Sequence, residues 1–78
     1  MKPEKQEIIQ ESYEGLPLIE AEKGESIFYA SEKAIRISKA VDSKIYLRFN
    51  GYNLPVYPDS SNREINYLYI IELRGYNG

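Results

Sequence analysis

The stretch DSSNREINYLYIIELRG, Asp59 to Gly75, decides the fold, because it carries two periodicities at once. Read as a strand, Ile65, Tyr67, Tyr69, Ile71 and Leu73 fall on one parity, and their residue types favour β structure. Read as a helix, Asp59-Ser60-Ser61 offers capping oxygens, and Ser61 and Glu64 have the spacing of a capping box. Ile65, Leu68, Tyr69, Ile71 and Leu73 then share a broad arc, interrupted by Glu72, while Arg74 suits the last turn and Gly75 the left-handed stop. A strand has no use for caps at both ends. The expected element is therefore a helix, with a long strand over 64–74 as the alternative.

Immediately upstream, KIYLRFN alternates cleanly: Ile45, Leu47 and Phe49 face one way, and Tyr46, Arg48 and Asn50 the other. Asn50-Gly51 is a dipeptide favoured by type I′ hairpin turns, since both residues tolerate positive φ. Leu54 to Tyr57 is the returning strand, and Pro55 places it at a sheet edge because proline cannot donate to the ladder. A hairpin over 44–57 follows. Before it, EKAIRISKAVDS has apolar residues at close to helical spacing, with Ser31 as N-cap and Glu32 in the first turn, which predicts a helix over about 32–42.

The first half is less defined. Two short apolar runs, Leu16 to Ile19 and Ile27 to Ala30, flank Gly24, a pattern that suits a short hairpin or an extended arm. Residues 1–14 are mostly charged and polar, so they are expected to be flexible or weakly helical. Residues 15–78 then form a single small α+β domain, with a helix packed on a short antiparallel sheet.

At 78 residues the chain has room for one core only, and that core buries a modest share of its surface. There is no cysteine and no histidine. This removes disulfides, thiolate chemistry, the usual zinc ligands and the commonest general base near neutral pH. The remaining acid/base material is two carboxylate groups, Glu7, Glu11 and Glu14, and Glu20, Glu22 and Glu25, which read as solvated faces because no apolar pocket adjoins them. One glycine followed by aromatics and prolines is not a phosphate loop. Ser12, Ser26, Ser31, Ser60 and Ser61 read as caps and turns. No catalytic residue, metal site or cofactor is expected. Neither is a membrane span or secretory leader, and the default location is the cytoplasm.

The one compositional excess is tyrosine, eight residues, which supplies large contact area at low entropic cost. Tyr13, Tyr29, Tyr67 and Tyr69 sit among apolar neighbours and are expected at the core rim. Tyr46, Arg48 and Tyr57 should lie on the open face of the hairpin, with Tyr52 at its tip. These four are the predicted binding residues for a protein target or for a homo-oligomer. A helix surface along Tyr67 and Ile70 is the next choice. Aromatics beside an arginine on an open sheet also suit stacking of single-stranded nucleic acid, the alternative function, although the net charge of -2 and the missing basic groove disfavour it. The order helix, strand, FNG turn, strand, helix over residues 31–75 resembles that of many small accessory proteins of phages and mobile elements, which act by stoichiometric binding.

Overall fold

The computed structural model describes residues 11–75. Six elements follow one another: β1 (Glu11–Tyr13), β2 (Leu16–Glu20), α1 (Ile27–Val41), β3 (Ile45–Phe49), β4 (Tyr52–Val56) and α2 (Asn62–Leu73). The strands form one sheet in the order β1-β2-β3-β4. The chain is an α+β domain, and the stretch from Asp59 to Gly75 holds a helix, Asn62–Leu73, as its caps imply.

Both halves of the capping box form in α2: Ser61 Oγ accepts from the Glu64 amide at 3.2 Å, and Glu64 Oε1 accepts from the Ser61 amide at 2.9 Å. Gly75 takes positive φ just beyond the last turn. These contacts satisfy orphan backbone groups that a strand does not have. The Asn50-Gly51 turn also forms as read, with φ of 52° and 85°, and Pro55 lies in β4 at the edge of the sheet.

The sheet extends beyond the hairpin. β2 pairs parallel with β3, Leu18 opposite Tyr46 and Ile19 opposite Leu47, and α1 makes the crossover that parallel neighbours require. β1 pairs antiparallel with β2 through a two-residue turn in which Glu14 and Gly15 both have positive φ. Two expectations are thereby corrected. Gly24 does adopt positive φ, but it turns the chain from β2 into α1, and Ile27 to Ala30 are helical. Glu11–Tyr13 is a strand, not the end of a weakly helical segment, because β2 offers it a partner; residues 1–10 of that segment lie outside the described residues.

α1 starts earlier than its sequence pattern suggests. Its N-cap is Ser26, whose hydroxyl accepts from the Tyr29 amide, whereas Ser31 is inside the helix and fully buried. The reason is packing. Ala30, Ser31, Ala34 and Ser38 form a face of small residues at i, i+4 spacing, all buried, that lets the helix approach the sheet closely. The bulk comes from the sheet: Ile45, Leu47, Phe49, Leu54 and Val56, joined by Ile65 of α2, complete the core. Burying a side chain of this size contributes about 1.5–3 kcal/mol. Ser38 also ties α1 down, donating its hydroxyl to the Ser43 carbonyl just past the helix end. Both helices cover one face of the sheet, and the other face carries Leu18, Tyr46 and Arg48.

Candidate protein-docking surface

The predicted binding residues do not stay together. Tyr46 lies on the helix-free face, as read, but it is only 6 % exposed. Tyr13 meets its ring edge-on at 4.7 Å between centroids, and its hydroxyl donates to Glu14 Oε1 at 3.0 Å. Tyr13 and Glu14 belong to the β1–β2 hairpin, which the sequence reading did not anticipate. Arg48 is half-buried, and its charge is answered by Glu11 at 3.5 Å and Glu20 at 3.9 Å, while its Nε donates to Asn53 Oδ1 at 3.1 Å. Tyr52 lies on the opposite, helix-covered face, because a two-residue turn pairs it with Phe49; its ring is 6.0 Å from that of Tyr69.

Tyr57 is different. It lies just beyond β4, 46 % exposed, and it lines a cleft of about 270 Å³ with Pro55, Tyr67 and Leu68 between the 57–60 turn and α2. The Lys44 ammonium lies 5.5 Å from the centroid of its ring and 4.9 Å from that of Tyr46. The Tyr46 side chain first, and Tyr57 after it, hold the Lys44 pKa above its ordinary 10.5.

On the helix-free face, then, the Tyr46 ring is largely covered and Arg48 is ion-paired, while the Lys44 ammonium lies over the Tyr46 ring.

α2 presents the contrasting surface. Ile65 is buried against the core, with Leu68 and Tyr69 half-buried beside it, yet the outward side is apolar too: Tyr67 is 63 % exposed, Leu73 54 % and Ile70 38 %. α1 turns Glu32, Arg36 and Lys39 to solvent along its middle and also exposes apolar residues near its ends, Phe28 at 61 % and Val41 at 44 %. Tyr67 and Ile70 are more exposed than Tyr46, and Tyr57 lies beside Tyr67 across the cleft. Tyr29, also expected at the core rim, is instead 70 % exposed at the start of α1.

Among the described residues, no group of three or more acidic side chains is placed to hold a metal ion. No helix there is long and apolar enough to cross a membrane. Fold and surface together define a small mixed-sheet α+β domain whose last helix, among the described residues, exposes apolar side chains on its outward face. No protein-family model, curated protein or solved structure matches the chain.

Proposed function

We propose that this chain is a non-enzymatic module that acts by stoichiometric binding to a protein partner, through the outward face of α2 and the adjoining Tyr57. It acts in the cytoplasm, in the manner of the small phage and mobile-element accessory proteins whose element order it resembles. One observation carries the reading: Tyr67, Ile70 and Leu73 are large apolar side chains on a helix whose other side already closes the core. Exposed apolar side chains that line up along one helix mark interaction sites. Each of the three leaves between 38 and 63 % of its surface exposed in the folded monomer, and contact with another protein gives that surface a role. Tyrosine at the centre of such a patch combines contact area with a polar tip.

The test is hydrodynamic. Affinity-purified wild-type chain, taken from cells that express it, should elute as a discrete complex larger than the 9.1 kDa monomer by light scattering. The Ile70→Asp and Tyr67→Ala variants should elute as folded monomers from the same cells. If wild type and both variants behave alike, the α2 face is not the binding surface.

A further inference from the structure

We infer that the occupant of the α2 face is an amphipathic helix of a different protein, with an apolar stripe flanked by acidic side chains. This rests on the docking reading above and deepens it by assigning the partner's chemistry.

The shape points to a helix. Among the described residues, a depression of about 400 Å³ on the outward face is lined by Tyr67, Ile70, Ile71 and Arg74. These are positions i, i+3, i+4 and i+7. Four residues at that spacing make the hole into which a facing helix inserts one side chain as a knob. The cleft beside Tyr57, Tyr67 and Leu68 offers a second recess along the same flank.

The charges say what surrounds the knob. Arg63, Tyr67, Ile70 and Arg74 follow one another at spacings of four, three and four, so they form a single stripe along the helix. Arginines therefore bracket the apolar pair at both ends, roughly 16 Å apart along the axis. Among the described residues, no ion pair engages either of them. Glu64 is occupied in the capping box, and Glu72, two residues before Arg74, projects from the other side of the helix.

A second copy of this chain fits this stripe poorly. An antiparallel two-fold pairing centred on Tyr67 and Ile70 sets Arg63 of one copy against Arg74 of the other. A parallel pairing sets each arginine against itself. Both juxtapose like charges at an apolar contact, which interfaces avoid. A helix with carboxylates at both ends of its apolar stripe meets both arginines favourably, and bidentate arginine–carboxylate pairs add direction to the contact.

The experiment uses two synthetic helical peptides of about four turns with the same leucine stripe, one flanked by glutamates and one by lysines. Binding to the full chain is read by fluorescence anisotropy, with sedimentation of the chain alone at the same concentrations. The glutamate peptide should bind at least about tenfold more tightly than the lysine peptide. Ile70→Asp and Tyr67→Ala should each weaken it, and the double variant Arg63→Glu/Arg74→Glu should reverse the preference while keeping the wild-type circular dichroism melt. If both peptides bind equally, or the charge reversal leaves the order unchanged, the acidic partner is wrong although the docking face stands. If the chain alone forms a dimer that Ile70→Asp dissolves, the occupant is a second copy and the inference fails. If neither peptide binds and the α2 variants also leave the cellular complex intact, the inference and the docking reading fall together.

Discussion

The side-chain amide of Asn50 donates to the hydroxyl of Tyr69 across 2.7 Å, joining the tip of the β3–β4 hairpin to the middle of α2. The Tyr69 ring also meets Phe49 edge-on at 4.9 Å. The two contacts differ in weight. The hydrogen bond is exposed, so Tyr69→Phe should cost only about 0.5–1 kcal/mol, whereas Tyr69→Ala, which removes the ring, should cost about 3 kcal/mol. Urea denaturation of both variants measures the difference; equal losses would mean that the ring contributes nothing beyond its hydroxyl.

The capping box of α2 gives a second prediction. Ser61→Ala removes the acceptor for the Glu64 amide and should lower stability by about 1 kcal/mol. Ser31→Ala, at the residue first read as a cap, removes no cap and should leave the α1 N-terminus unchanged in amide exchange, while Ser26→Ala should make it fray.

These serines also show which parts of the fold can be read locally. The last helix and the Asn50-Gly51 turn are encoded by residues within a few positions of one another, so both are legible. The start of α1 is not, because Ser26 and Ser31 both precede apolar residues at helical spacing, and only packing against the sheet turns Ser31 inward. The β1–β2 hairpin was missed because Glu14 is an unusual residue for positive φ and its strand is three residues long. The site suffered from that omission: Tyr46 is covered by Tyr13, a neighbour from a strand that the sequence pattern did not reveal. Tyr52 was legible in principle, since a two-residue turn places it on the same face as Phe49. The exposure of Tyr67 and Ile70 is legible once α2 is read as a helix.

Asp42 should be a weak point. It terminates α1 in the left-handed region at φ 55°, with an acidic side chain at the negative end of the helix dipole. Glycine removes both penalties, so Asp42→Gly should stabilise the fold by about 0.5–1 kcal/mol despite its greater unfolded-state entropy. A lower thermal midpoint would show that the Asp42 side chain makes a contribution its surroundings do not reveal.

Lys44 predicts a pH dependence. Its folded-state pKa is raised by the tyrosines it faces, so the stabilisation it gives is complete below 10.5 and is lost as pH rises through the folded value. The stability difference between wild type and Lys44→Met should thus stay constant through neutral pH and shrink only in the alkaline range. A difference that instead grows above pH 10.5 would reverse the sign of the interaction.

Tyr46 and Tyr67 should separate folding from binding. Tyr46→Ala opens the helix-free face and should cost about 2–4 kcal/mol, while Tyr67→Ala should stay within about 0.5 kcal/mol of wild type. Had Tyr46 been a binding anchor on an open face, the two variants would be equally stable.

The measurement closest to the centre of this account is a photo-cross-linking amino acid placed in turn at Tyr67, at Tyr57 and at Arg36 on the polar side of α1, in cells that express the chain. Positions 67 and 57 should each yield the same discrete adduct, and position 36 none. An adduct formed from Arg36 and absent from both tyrosines would mean that the working surface of the molecule is not the outer side of its last helix.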